Sequence, residues 1–134
     1  VIRQLGDVPA ISCMPSQINQ VLLNLVTNAA QAIEGTGKIL IRTWADVERV
    51  YVSVQDNGKG ISAENLKKIF DPFFTTKPVG EGTGLGLSIC WKIIEQHGGV
   101  IRVASEPGRG TRFVIVLPRQ TQTVEMAAVA AIAS

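Results

Sequence analysis

The chain has 134 residues, 46% of them hydrophobic and 18% charged, which is one domain's worth of sequence with enough apolar content for a packed core, and this excludes general disorder. A formal net charge of +2 with no basic stripe gives no support for a nucleic-acid partner. Cys13 and Cys90 lie far apart without metal-ligand spacing, so neither a disulfide framework nor a zinc site is expected, and a reducing compartment, the cytoplasm, fits. The longest apolar run, at residues 124–133, falls well short of the roughly 20 apolar residues that span a bilayer. The first residues also lack the basic-then-apolar pattern of a signal peptide. No membrane contact by this domain is expected, which leaves open the attachment of a longer parent protein.

Residues 1–13 read as a short strand and a loop, with Pro9 and Pro15 as breaks. Ser16 is the expected N-cap of a helix over residues 17–33, where Ile18, Val21, Leu22, Leu25, Ala29, Ala32 and Ile33 recur at helical spacing. Gly35 and Gly37 end it. Two alternating, β-branched segments, residues 38–44 and 49–55, predict a hairpin turning near Asp46. Residues 56–60 form a turn, and Ser62 caps a short helix reaching Phe70. Residues 71–84 carry prolines and glycines without a period and read as a long loop, expected to be mobile without ligand. A second strong helix runs from about residue 84 to His97 and stops at Gly98 and Gly99. Residues 100–104 and 111–117 form a closing hairpin, and Pro118 ends the domain. Adjacent strands joined by short turns predict a mixed, mostly antiparallel sheet. Three helices cover one face, giving a two-layer α/β sandwich rather than a doubly wound one.

Three local features carry candidate chemistry. Gly80, Gly82, Gly84 and Gly86 alternate with Glu81, Thr83 and Leu85 where the long loop enters a helix. Such a loop is either a flexible hinge or a phosphate cradle that uses the free N–H groups of a helix start. Its spacing matches neither the dinucleotide pattern G-x-G-x-x-G nor the pattern G-x-x-x-x-G-K-[ST]. The run Asp56-Asn57-Gly58-Lys59-Gly60 follows a strand. It is good turn chemistry, and equally a rigid carboxylate acceptor for an exocyclic amine, with glycines that let a flat base approach. Asn24 and Asn28 stand one turn apart on a ridge that flanks the apolar stripe. They are a solvated polar ridge or a pair of amide oxygens for phosphate-bound Mg2+.

Taken in order, these segments resemble the sensor histidine kinases. QVLLNLVTNAAQAI at residues 20–33 is similar to their N box and DNGKGI at residues 56–61 to their first glycine box. IFDPFFTTK at residues 69–77 is similar to the F box, GEGTGLGLSI at residues 80–89 to the second glycine box, and GRGTRFVIVLP at residues 108–118 to the closing hairpin. The resemblance covers residues 1–118, a catalytic ATP-binding domain; residues 119–134 form a tail outside it. It implies the Bergerat-type sandwich shared with gyrase-type ATPases, heat-shock chaperones and the mismatch-repair protein MutL. It implies ATP and Mg2+ as cofactors, with Asp56 on the adenine amino group, Gly58 and Gly60 shaping the base pocket, and Thr111 supporting adenine.

By the same resemblance Asn24 and Asn28 serve Mg2+ and the phosphates, with the direct ligand left open between them. Gly82, Thr83, Gly84, Leu85 and Gly86 close over the triphosphate, and Lys77 is a cation near the γ-phosphate. Ile61 and Phe70 complete the nucleotide-binding set, while Phe70, Phe73 and Phe74 anchor the loop to the core. The implied partners are ATP and ADP, a dimerisation and phosphoacceptor helical hairpin, and a response-regulator receiver domain. His97, the single histidine, ends a helix and lacks the acidic neighbour of a phosphoacceptor, so the reacting histidine is expected elsewhere. Hydrolases of this fold resemble an E-x-x-x-N pattern whose Glu activates water; here that position is Asn24, which disfavours hydrolysis. A protein-serine kinase and a non-catalytic nucleotide sensor are the other readings.

Overall fold

In the computed structural model, which describes residues 2–5, 15–72, 74 and 86–119, the periodic segments become helices and strands in the expected order. They are β1 (Ile2–Leu5), α1 (Pro15–Ala32), β2 (Ile39–Ala45), β3 (Arg49–Asp56), α2 (Ala63–Leu66), α3 (Gly86–Gln96), β4 (Val100–Glu106) and β5 (Gly110–Pro118). Among the described residues no helix is long and apolar enough to cross a membrane.

The strands form one sheet in the order β1-β2-β3-β5-β4. Only β1 and β2 are parallel, and α1 supplies the crossover that a parallel pair requires. The other neighbours are antiparallel hairpin partners or, for β3 and β5, antiparallel strands brought together across α3. In the first hairpin Asp46 Oδ1 accepts from the Glu48 and Arg49 N–H groups at 2.9 and 2.7 Å, and Tyr51 donates its hydroxyl to Asp46 Oδ2 at 2.7 Å. These bonds, the tyrosine's above all, hold the Asp46 carboxyl below its ordinary pKa, and the same contact raises that of Tyr51.

Period-two alternation sends Ile39, Val54, Ile101, Phe113, Ile115 and Leu117 to one face of the sheet. There they meet Val21, Leu25 and Ala29 of α1 and Cys90, Ile93 and Ile94 of α3. Each fully buried aliphatic side chain here contributes about 1.5–3 kcal/mol relative to exposure. The other face carries the stacked pair Trp44 and Tyr51, centroids 5.2 Å apart, with the Arg42 and Arg112 guanidinium carbons 5.3 and 5.8 Å from the Trp44 ring centroid.

Two local expectations change. The first helix begins at Pro15, so Ser16 lies inside its first turn and is not the N-cap; proline's fixed φ already suits the first helical position. The second helix is a single turn, closed at its start by Ser62 Oγ accepting from the Asn65 N–H at 3.2 Å, and residues 67–70 continue as turns. The C-terminal end of α3 lies at Gly98 and Gly99 as expected, and it is a Schellman motif. Gly99 N–H donates to the Ile94 carbonyl at 2.9 Å, Gly98 N–H donates to the Glu95 carbonyl at 3.0 Å, and Gly98 sits at φ +75°.

Candidate functional site

Inward-facing Val52 and Val54 give way at the end of β3 to Asp56, which the same alternation turns toward the helix layer. Opposite it on β5 is Thr111, and opposite Thr111 on β4 is Ser105. A polar row thus crosses three strands at one end of the sheet. Asp56 is 6% exposed and Thr111 5%. Asp56 Oδ1 accepts from the Gly58 N–H at 2.8 Å, and the Thr111 N–H also bonds the carboxyl. Burial pushes the Asp56 carboxyl above its ordinary pKa, and these two N–H groups work against that rise.

The loop after Asp56 is locked by close backbone approaches. A Cβ on Gly58 would stand 2.4 Å from the Ala32 carbonyl oxygen at the end of α1, and Lys59 N–H donates to that oxygen at 2.9 Å. Gly60, at φ +74°, runs against Glu106 and Pro107 of the last hairpin, and Gly108 N–H donates to the Lys59 carbonyl at 2.8 Å. Asn57 Oδ1 accepts from the Lys38 N–H at 2.7 Å, which ties the start of β2 to the same loop. The glycines are therefore used by the chain's own backbone, and they fix where the Asp56 carboxylate stands.

On α1, Asn24, Asn28 and Ala32 follow at i+4 spacing along one half-buried ridge beside Val21, Leu25 and Ala29. Asn24 Nδ2 lies 3.4 Å from the Gly86 carbonyl and 3.7 Å from the buried Cys90 Sγ, both on α3. The ridge therefore starts at the beginning of α3 and ends on the Asp56 loop, eight residues or about 12 Å further on. With Nδ2 directed at α3, the atom of Asn24 left for a cation is the amide oxygen. Among the described residues no group of three or more His, Cys, Asp or Glu could hold a metal ion. The only hard donors on this ridge are amides, which suits a hydrated Mg2+ that takes its remaining ligands from water and phosphate.

Ile61 follows the glycine loop and donates its N–H to Ser105 Oγ at 2.7 Å. Phe70 packs on Trp91 and Phe113, with centroids 4.9 and 6.4 Å apart, and Phe74 also packs on the core. Gly86 opens α3 beside Asn24. Lys77, Gly82, Thr83, Gly84, Leu85 and Phe73 lie outside the described residues, as does the tail beyond residue 119. His97 ends α3 with Nδ1 at 2.7 Å from the Ile93 carbonyl; a carbonyl only accepts, so Nδ1 carries the proton.

Two further residues shape the site. Ser105 is the polar exception in the inward series Ile101, Val103, Ser105, and that interruption is the signal that marks it. Gly110, at φ +120°, brings β5 so close to β3 that a Cβ would stand 2.0 Å from the Asp56 carbonyl oxygen. No local pattern announces that approach.

Helices α1 and α3 on one face of this mixed, mostly antiparallel sheet make a two-layer α/β sandwich. The model of the family described as histidine kinase-, DNA gyrase B-, and HSP90-like ATPase matches residues 13–121, and the chain belongs to this family. Several of the curated proteins it resembles are histidine kinases. It is 50% identical over 110 residues to the sensor histidine kinase ZraS of Escherichia coli K12, covering 82% of this chain and 23% of that protein. It is 52% identical over 107 residues to the histidine-protein kinase AtoS of the same strain, covering 78% of this chain and 17% of AtoS. The chain thus spans less than a quarter of the length of these two relatives. Among solved structures, the nucleotide-free catalytic domain of the histidine kinase ThkA aligns with a TM-score of 0.78 at 39% identity, covering 90% of this chain and 80% of that one. Full-length ShkA in complex with AMPPNP aligns at 0.79 and 31%, covering 90% of this chain and 26% of that one.

Proposed function

We propose that this domain binds Mg-ATP and donates the γ-phosphoryl group to a histidine on a separate dimerisation and phosphoacceptor hairpin, whose phosphate then passes to a response-regulator receiver domain. The observation that carries the reading is the composition of α1. Its sequence PSQINQVLLNLVTNAAQA contains no Asp or Glu, and an amide, Asn24, stands at the start of the ridge leading to the Asp56 loop. An amide does not take a proton from water at neutral pH, so α1 offers no general base for hydrolysis. Phosphoryl transfer needs positioning and charge stabilisation, which amides, backbone N–H groups and a divalent cation supply.

In this reading the Asp56 carboxylate accepts from the adenine amino group, with Gly58 and Gly60 holding that carboxylate and the base edge in register. Thr111, Ile61 and Phe70 complete the base end. Asn24 and Asn28 hold Mg2+ through amide oxygens, and Mg2+ would neutralise charge on the phosphates. The glycine loop, with Gly82, Thr83, Gly84, Leu85 and Gly86, closes on the triphosphate, and Lys77 offsets charge at the γ-phosphate. The imidazole nitrogen of the partner histidine bonds the γ-phosphorus as the bond to the bridging oxygen breaks; ADP leaves, and the imidazole N–H proton passes to solvent. The relatives named histidine kinases support this assignment.

The test mixes the domain, γ-labelled ATP and the dimerisation hairpin of the parent kinase. Acid-labile label on the hairpin histidine is the expected result. Release of free phosphate at the same rate with and without the hairpin would overturn the reading, and nucleotide binding with no transfer over hours would leave a sensing module.

A further inference from the structure

The Ser105 hydroxyl is a three-way junction at the β4 end of the polar row. It accepts from the Ile61 N–H at 2.7 Å, donates to the Gly110 carbonyl at 2.9 Å and lies 2.8 Å from the Thr111 hydroxyl. A serine hydroxyl has one proton and two lone pairs. The Gly110 carbonyl can only accept and takes the proton; the Ile61 N–H can only donate and fills one lone pair. The remaining lone pair of Ser105 faces Thr111, so the short contact is made by the Thr111 proton. Thr111 Oγ1 is left with lone pairs alone for anything else it meets. Its cross-strand partner Asp56, when ionised, likewise offers only lone pairs.

We propose that Ser105 is a specificity-determining positioning residue: by fixing Thr111 as an acceptor, it makes the Asp56–Thr111 edge acceptor-only and selects purines with an amino group at C6 over those with a carbonyl there. The inference rests on the nucleotide reading above and concerns which base that site admits. A 6-amino group brings donors to two acceptors. A 6-oxo group brings a third acceptor to that position, and Thr111 can donate to it only by turning its proton outward. That rotation breaks the 2.8 Å bond to the half-buried Ser105 and gives up the lone pair it fills. The geometry resists the rotation from the other side too, because Ile61 and Gly110 hold Ser105 Oγ in place.

The experiment titrates the chain with ADP and with inosine diphosphate by calorimetry. The unsubstituted chain is expected to prefer ADP. Ser105→Ala should lower the ADP-to-inosine-diphosphate affinity ratio by about tenfold, since Thr111 is then free to donate. Ser105→Thr, which keeps the hydroxyl, should restore the ratio. A purely structural role for Ser105 would weaken both nucleotides together, and an unchanged ratio in Ser105→Ala overturns the proposal. Should that variant fail to fold by circular dichroism, Thr111→Val gives the second reading: it removes the oriented hydroxyl while Ser105 stays, and the ratio should fall likewise. A ratio equal to that of the unsubstituted chain overturns the proposal there. If ADP binds normally and only these ratios stay fixed, the role of Ser105 alone is refuted. If the unsubstituted chain binds neither nucleotide, the nucleotide reading fails and this inference with it.

Discussion

Asp56 stands in conflict between stability and binding. Its burial raises the carboxyl's pKa, so the ionised form is penalised in the folded state. With a folded value above the unfolded one, the native state binds more protons in the window between them. Stability therefore rises as pH falls through the folded value and levels off below the unfolded one. Asp56→Asn removes that charge while keeping an oxygen for the Gly58 N–H. The melting temperature at neutral pH should stay level or rise and lose this part of its acid dependence, while ADP affinity by calorimetry should fall at least about tenfold. Unchanged ADP affinity would remove Asp56 from the base site. The neighbouring glycines separate two kinds of constraint. Gly110 combines φ +120° with a Cβ position 2.0 Å from the Asp56 carbonyl oxygen, whereas Gly108, at φ +80°, has open space. Gly108→Ala should cost about 1 kcal/mol in urea denaturation, through backbone strain alone. Gly110→Ala should cost about 3 kcal/mol or more, because backbone must move.

Among the elements, the first hairpin owes its turn to one carboxylate that collects two backbone N–H bonds and a tyrosine hydroxyl. The Asp46 pKa is lowered in the folded state, so its contribution is present above the unfolded value and fades as pH falls through the folded one. Asp46→Asn should flatten the loss of melting temperature between about pH 5 and pH 2, the carboxylate range. An acid limb identical to that of the unsubstituted chain would show that the turn does not depend on this charge. The helices are placed differently. Helix α1 was legible almost to its ends, since Val21, Leu25 and Ala29 repeat at the period that buries them. Its start differs from the expected one because Ser16 has the chemistry of a cap, while Pro15 already fixes a helical φ.

At the scale of the molecule, the site joins three places distant in sequence: the end of β3, the ridge of α1 and the hairpin β4–β5. A ligand that bridges them should bind only the folded chain and stabilise it by mass action. Mg-ADP at a hundred times its dissociation constant should add about 2.7 kcal/mol and raise the melting temperature by about 10 °C. No rise in a thermal melt would count against a preformed site. The position of His97 gives a further expectation. It is tied to the Ile93 carbonyl at the end of α3, on no part of the polar row or the asparagine ridge. His97→Gln should therefore leave label transfer to a phosphoacceptor hairpin within about twofold of the unsubstituted rate, a small effect by comparison with losses at a reacting group. Loss of transfer would make His97 part of the reaction.

The sequence by itself determined the helix and strand order, the inward faces and the two motifs that hold Asp56, Asn24 and Asn28. Each of these is a local matter: period 3.6 or 2, a capping or turn residue, a glycine next to a carboxylate. The tertiary structure decided what those residues are placed against. That Gly58 fits the end of α1, that Gly110 admits β5 against Asp56, and that Ser105 orients Thr111 all depend on strand register and on backbones separated by many residues. Such contacts leave no periodic trace, because a close approach is a property of two segments and each segment alone reads as an ordinary turn or strand.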